Sequence, residues 1–405
     1  MTERHKRVLI YSHDTFGLGH LRRCRTIAHA LVEENKDLTV LILSGSPIIG
    51  SFDFRARVDF VRVPGVIKLR DGEYTSLNLH IAIEEMLEMR ASIIQHTADI
   101  FDPDLFIVDK EPLGLRGEVE PTLDLLRRRG IPLVLGLRDV MDEPAQLEPE
   151  WSRKKVVPAL KKYYDDIWVY GLPQICDPLA GIALPQSVRK RMTYTGYLKR
   201  SAQASSPQLP ELAAGGPYLL VTPGGGGDGE ALIDWVLSAY EYDPKLPCRA
   251  LMVLGPFMQP EHRAEFMGRA ARIKRVSVIT FDAHMESLIA HAQGVVAMGG
   301  YNTFCEILSF DKRALIVPRT QPRLEQYIRA ARAQELGLVR MLIDNEARDP
   351  QVMATALRHL PQQNLPSEIV VPGLLDGLEN VNRLTRQWLG RWRRPTRVPV
   401  AAFRA

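Results

Sequence analysis

The chain has 405 residues, too many for one ordinary hydrophobic core, so two domains are the first expectation. With 45% apolar and 25% charged residues and a formal net charge of +4, the composition is that of a soluble globular protein and makes no case for a nucleic-acid partner. No apolar run approaches the roughly 18–20 residues that span a bilayer; the lead MTERHKRVLIYSHD lacks the apolar stretch of a signal peptide, and the scattered Cys24, Cys176, Cys248 and Cys305 form no CxxC pair, which suits a cytoplasmic protein without a zinc site or disulfide framework.

Short apolar strands alternate with helix-length segments. In the first half, strands are expected at Arg7–Ser12, Leu38–Leu43, Asp59–Val63, Leu105–Val108, Pro132–Leu137 and Asp166–Tyr170, with helices at His20–Glu34, Ile81–Ala98, Glu118–Arg129 and Glu150–Tyr163. The second half repeats the plan. Its strands are expected at Tyr218–Thr222, Arg249–Leu254, Val276–Phe281, Gly294–Met298, Ala314–Val317 and Val339–Leu342. Its helices are Gly229–Tyr240, Glu261–Ile273, Met285–His291, Thr303–Ser309, Leu324–Leu336 and Pro350–His359. The strands are rich in Val, Ile and Leu and apolar on both faces, as in a parallel sheet covered by helices. Two such arrays, each with its own first strand and glycine turn, predict an α/β protein of two Rossmann-like doubly wound domains.

The expected domains are 1–197 and 217–372, joined by a linker, 198–216, whose sequence LKRSAQASSPQLPELAAGG has no apolar periodicity. An amphipathic segment, Gly373–Leu389, follows within 373–390, and 391–405 is a basic tail. From Arg383 onward there are seven arginines and no acid, so the tail could touch an anionic membrane surface with Trp388 and Trp392 at the interface; the plainer reading is a solvated terminus.

Two glycine turns follow first strands. Phe16-Gly17-Leu18-Gly19-His20 has the strand–turn–helix context of a dinucleotide fold, but Arg22 and Arg23 stand where GxGxxG needs its third glycine, and no ribose-binding acid ends the second strand. A close-approach turn carrying a histidine describes it better. His20 is a candidate base, because imidazole titrates near working pH, or a helix N-cap. The second turn, Thr222 to Gly229, holds Gly224, Gly225, Gly226 and Gly227 and lets a ligand approach the backbone; lacking GK[ST], it is no P-loop.

The stretch Val295–Gln326 carries the most chemistry. A short strand turns on Gly299-Gly300 into a helix starting Tyr301-Asn302-Thr303, with Glu306 one turn further and a loop Arg319–Arg323 ending in Glu325-Gln326. A strand, a diglycine and a helix N-terminus make an anion site, and a nearby carboxylate can grip sugar hydroxyls. Phosphate plus ribose is the end-group of a nucleotide.

Other carboxylates fall at strand ends. Asp109, followed by Lys110 and Glu111, can act as a base or orient a histidine. Arg138-Asp139 and Asp142-Glu143 end the next strand, and His13 could line an acceptor cleft. Asp102-Pro103-Asp104 spells DxD but precedes a strand and reads as a turn. Phe281–Met285 could border a base ring.

These features together resemble the GT-B glycosyltransferases: the GLGH turn, the YTG at Tyr194–Gly196, the second glycine turn and MGGYNTFCEIL…PRTQPRLEQ. The resemblance spans nearly the whole chain and is most similar to the MurG-like group, which includes the diacylglycerol galactosyltransferases. It implies two Rossmann-like domains facing across a cleft, with a nucleotide-sugar donor, usually UDP-linked, on the second and the acceptor on the first. It implies no bound metal and no cofactor beyond the donor. Carried over, Gly224–Gly229 and Gly299–Thr303 face the diphosphate, Glu306 holds the ribose, and Glu325 and Gln326 lie near sugar and ribose. Arg319 or Arg323 adds a cation. His20 or Asp109 is the base, and Gly17, Gly19, His13 and Arg138 lie on the acceptor side. The segment 373–390 is expected to cross back to the first domain.

The first loop lacks a triple glycine, and the Asp109 strand end lacks a glycine-rich turn. Both point away from a lipid-linked muropeptide acceptor and toward a separate bacterial branch. The acceptor, a small molecule, lipid or polysaccharide hydroxyl, is unread, and the expected location is the cytoplasm or the inner membrane face. Two alternatives share the architecture: a UDP-sugar 2-epimerase using Asp109, Glu111 and Asp139, and a non-catalytic nucleotide-sugar-binding protein.

Overall fold

The structure, a computed structural model, describes residues 5–14, 19–68, 74–202, 215–225 and 227–391. Two parallel sheets dominate. The first has seven strands in the order β3-β2-β1-β6-β7-β8-β9: β1 Lys6–Ser12, β2 Leu38–Ser44, β3 Val58–Arg62, β6 Leu105–Asp109, β7 Leu133–Arg138, β8 Asp166–Tyr170 and β9 Met192–Tyr194. The second has six in the order β12-β11-β10-β13-β14-β15: β10 Tyr218–Thr222, β11 Arg249–Val253, β12 Val276–Ile279, β13 Gly294–Ala297, β14 Arg313–Ile316 and β15 Arg340–Met341. The central strands β6 and β10 are buried at every residue, as parallel strands covered on both faces must be.

In each sheet the strand order reverses beside the first strand, between β1 and β6 and between β10 and β13. Ligands of open α/β sheets bind outside the carboxyl ends of the strands at such a switch point. The carboxyl ends of β1, β6, β10 and β13 and the segments after them are the ones that carry His20, Asp109, Gly224 and Gly299.

The structure departs from the sequence reading in local detail. The helix expected over Glu150–Tyr163 is two, Pro144–Arg153 and Val156–Tyr163, broken where Lys155 takes a left-handed φ of 52°. A two-stranded antiparallel hairpin, β4 Val66–Lys68 with β5 Tyr74–Ser76, lies where no strand was expected. Residues 203–214 of the expected linker and 392–405 of the basic tail lie outside the described residues.

The chain crosses back near its end. Tyr197 donates its backbone N–H to Leu374 O at 2.8 Å, and Gly377 donates to Tyr197 O at 3.2 Å. The segments touch so closely that a Cβ on Gly377 would lie 2.5 Å from Tyr197 O, and one on Gly196, at φ 87°, 2.4 Å from Gly373 O. The Gly377–Arg391 helix then lies on the first domain: Asn380 Nδ2 donates to Thr195 O at 2.9 Å and Asn382 Nδ2 to Ala30 O at 3.4 Å. Trp388 is on the protein rather than free for a membrane interface, its indole N–H donating to Asp166 at 3.2 Å. Among the described residues, no helix is long and apolar enough to cross a membrane.

Candidate active site

The two switch points face each other across a cavity of about 440 Å³. Its second-domain wall is built on backbone. Gly224 (φ 88°) and Gly225 follow β10, and Gly299 (φ 78°) and Gly300 follow β13. The glycines are partly a packing demand. A Cβ on Gly255 would lie 2.6 Å from the Gly225 carbonyl, and one on Gly299 would lie 2.7 Å from Ile316 Cγ2. The helix Tyr301–Ser309 begins after Gly300 with no side-chain cap, so its first N–H groups remain free to bind an anion. Glu306, Arg319, Glu325 and Gln326 complete this wall with Asn302, Thr303 and Gly227.

Its first-domain wall is built on side chains. His20 Nδ1 lies 2.5 Å from Asp109 Oδ2. Arg23 grips the same carboxylate through Nε at 2.8 Å and Nη2 at 2.7 Å. Burial alone would raise the Asp109 pKa; Arg23 and His20 outweigh it and hold the carboxyl well below its usual range. A 2.5 Å contact with an ionised carboxylate requires a proton between the two atoms, so Nδ1 of His20 carries it and Nε2 keeps its lone pair. Burial also lowers the His20 pKa to about 4, against the pull of Asp109, so the ring is neutral at physiological pH. The two residues differ in position: the Asp109 carboxylate is engaged by His20 and Arg23 and does not line the cavity, whereas His20 does.

The other sequence-derived candidates divide. Gly19 and Arg138 line the cavity. His13 does not: it is buried, one layer behind His20, with ring centroids 5.6 Å apart. Gly17 and Gly226 lie outside the described residues. Arg323 is held by Glu150 at 2.8 Å and Asp142 at 3.8 Å, away from the cavity lining, and so is not the extra cation. Arg319 does line the cavity but is tied to Asp228 and, at 2.6 Å, to Glu325. Phe281 and Met285 are in the lining, as expected of a base-ring border.

Sequence reasoning missed Arg22 and Arg23, seen only as interruptions of a glycine motif, and the Gly255-Pro256-Phe257 turn after β11. Their signal was available: both arginines fall on the first helical turn after β1, at a sheet's carboxyl edge. Arg22 reaches across to Glu306 and, at 2.8 Å, to Glu286. Burial pushes the Glu306 carboxyl up to about 7, against Arg22, while Arg22 outweighs burial at Glu286 and draws that carboxyl down.

Further contacts hold the walls together. Asp139, fully buried, accepts two 2.6 Å bonds from Arg329 and one of 2.7 Å from Tyr197, and Arg329 also donates to Gly299 O at 2.9 Å. Asn302 donates to Gly19 O at 2.9 Å and accepts from Arg200 at 2.7 Å. Asp104 accepts the Arg7 backbone N–H at 2.8 Å, and Asp102 caps a helix in the left-handed region, so the DxD is a turn.

Residues 220–368 match the glycosyltransferase family 28 C-terminal domain. The chain is a glycosyltransferase of the GT-B fold. A relative from Methanosarcina acetivorans, named an uncharacterized glycosyltransferase, is 24% identical over 401 residues, 93% of this chain and 97% of that one. Three solved structures illustrate the fold. MurG of Acinetobacter baumannii has a TM-score of 0.55 at 15% identity, covering 94% of this glycosyltransferase and 99% of that chain. UGT2 of Phytolacca americana, complexed with UDP-2-fluoro-glucose and pterostilbene, has 0.61 at 14%, covering 94% of each. A Listeria monocytogenes protein assigned as a UDP-N-acetylglucosamine 2-epimerase has 0.58 at 13%, covering 97% and 99%. At such identities the shared property is the fold, which transferases and epimerases have in common.

Proposed function

We propose that this glycosyltransferase moves a sugar from a UDP-sugar to an acceptor hydroxyl, with inversion at the anomeric carbon and without a bound metal. The observation that carries the reading is the His20–Asp109–Arg23 array, which opens into the same cavity as two glycine turns and Glu306. The turns and the helix start at Tyr301 cradle the diphosphate; Glu306 holds the ribose once the donor displaces Arg22; Glu325 and Gln326 take sugar hydroxyls. His20 Nε2 receives the acceptor proton, and Asp109 holds the ring in the required tautomer. A base on one wall and a leaving-group cradle on the other suit in-line displacement, hence inversion. The acidic side chains lining the cavity are already engaged, Glu306 by Arg22 and Asp228 and Glu325 by Arg319, so charge on the diphosphate falls to backbone dipoles and arginines.

The donor's identity is supported by neighbours of the same fold, one complexed with UDP-2-fluoro-glucose. The epimerase alternative is disfavoured by the carboxylates it needs. Asp109, Glu111 and Asp139 are each neutralised by a basic partner, and none lines the cavity. The test is a thermal-shift panel of UDP, GDP, ADP, UDP-glucose and UDP-N-acetylglucosamine. UDP and its sugars are expected to stabilise; the absence of any stabilisation by a nucleoside diphosphate overturns the reading. Appearance of an epimer from UDP-N-acetylglucosamine without acceptor would assign the chain to the alternative.

A further inference from the structure

Among the described residues, four arginines line the cavity: Arg22, Arg23, Arg138 and Arg319. Three have carboxylate partners. Arg22 is bound to Glu286 and Glu306, Arg23 to Asp109, and Arg319 to Asp228 and Glu325. Arg138 ends β7 of the first domain and has none among the described residues. Its Nε is cut off from solvent and donates to no acceptor among the described residues. The carboxylate beside it in sequence, Asp139, is spent on Arg329 and Tyr197. Glu325, the carboxylate whose field it feels most, is engaged by Arg319. Burial lowers the guanidinium only to about 10, so it stays charged. A half-buried cation without a counter-ion is costly, and sites kept in that state are characteristically sites for an anionic ligand.

The position of Arg138 indicates which anion. Asp139, its neighbour, is clamped by Arg329, and Arg329 also donates to the carbonyl of Gly299, in the turn that opens the Tyr301–Ser309 helix. Asp139 is thereby fixed, across the domain boundary, to the backbone proposed to cradle the diphosphate, and Arg138, next to it in the chain, lines the same cavity as that backbone. We infer that Arg138 is a catalytic residue of this glycosyltransferase, contacting the β-phosphate of the nucleoside diphosphate and taking up its charge as it departs. In the transfer, the bond between the anomeric carbon and the β-phosphate oxygen breaks, and its electron pair goes to that oxygen, facing Arg138. The acceptor oxygen forms the new bond and its proton goes to His20 Nε2. Because Arg138 belongs to the first domain and the rest of the cradle to the second, full counter-charge exists only when the two meet, which suppresses idle hydrolysis of the donor in an open state.

The inference rests on the UDP-sugar reading, and one experiment separates the two. Wild type, Arg138→Met and Arg138→Gln are titrated by calorimetry with UMP, UDP, UDP-glucose and UDP-glucuronate, after their ligand-free melting temperatures have been compared. Wild type is expected to prefer UDP over UMP. Both neutral variants are expected to lose roughly 10–100-fold in UDP affinity, the worth of a charge-assisted hydrogen bond, with UMP affinity unchanged. Arg138→Lys, which keeps the charge but not the fork, falls between them. If wild type binds none of the four nucleotides, the UDP-sugar reading falls and this inference with it. If wild type binds UDP and the neutral variants keep its full preference over UMP, the inference alone is overturned. A loss confined to UDP-glucuronate also overturns it, assigning Arg138 to a carboxylate on the sugar.

Discussion

The two walls of the cleft are made from different materials. The second-domain wall is mostly backbone: glycine turns and a helix start, each contiguous in sequence. The first-domain wall is mostly side chain: His20 and Arg23 from the helix after β1 and Arg138 from the end of β7 line it, Asp109 at the end of β6 stands behind them, and they are neighbours only because β1, β6 and β7 are adjacent. A backbone cradle tolerates many donors, since every nucleoside diphosphate presents the same phosphates. A side-chain array is specific in geometry and fails when one member is lost. The contrast predicts where substitutions will hurt binding and where they will hurt turnover.

The largest expected effect comes from breaking the tie between the walls. Arg329→Met leaves Asp139 charged, buried and without its bidentate partner, which should cost about 3–5 kcal/mol in stability. It should also loosen the Gly299 turn. Chemical denaturation followed by fluorescence measures the first effect, and UDP affinity the second. A variant as stable as wild type would show that the two walls are not energetically joined through this pair.

The next pair of variants sets the walls against each other. His20→Ala should lower kcat by roughly 10²–10⁴-fold, the usual worth of a positioned base, with little change in UDP affinity. Glu306→Gln should do the reverse, weakening UDP by about tenfold while sparing kcat at saturating donor. Steady-state kinetics with calorimetry decides. If both variants act on affinity alone, His20 is not the base.

The same contrast explains what could be read in the sequence. The donor wall was legible because Gly224–Gly227 and Gly299–Gln326 are local patterns whose chemistry follows from the backbone. His20 and Asp109 were each visible as strand-end residues, but the bond between them spans 89 positions and depends on β1 lying against β6. Arg23 was hidden because it was judged against a glycine motif it breaks, although that break lets its guanidinium reach Asp109. His13 looked like a cleft residue from its place after β1, yet packing beneath His20 took it into the interior. The break at Lys155 did have a signal in Pro158, three residues on, which fits the first turn of a new helix but not the interior of the one expected over Glu150–Tyr163.

The smallest expected effect concerns acid. His13, His20 and His29, all in the first domain, are held neutral by burial, His20 and His29 at about 4. A histidine whose folded pKa is depressed contributes stability above its unfolded value near 6.5, and loses it as pH falls toward the folded value, because the unfolded chain binds the proton first. Asp14 and Glu306, raised by burial to about 6 and about 7, act in the opposite sense. The informative quantity is therefore the difference between wild type and His20→Gln. Wild type should lose about 2 kcal/mol relative to the variant between pH 7 and pH 5, read from denaturation midpoints at each pH. A difference that stays constant over that range would mean that the fold leaves the His20 pKa at its unfolded value, and a relative gain by wild type on acidification would mean that His20 is protonated in the folded state and cannot accept a proton from the incoming hydroxyl.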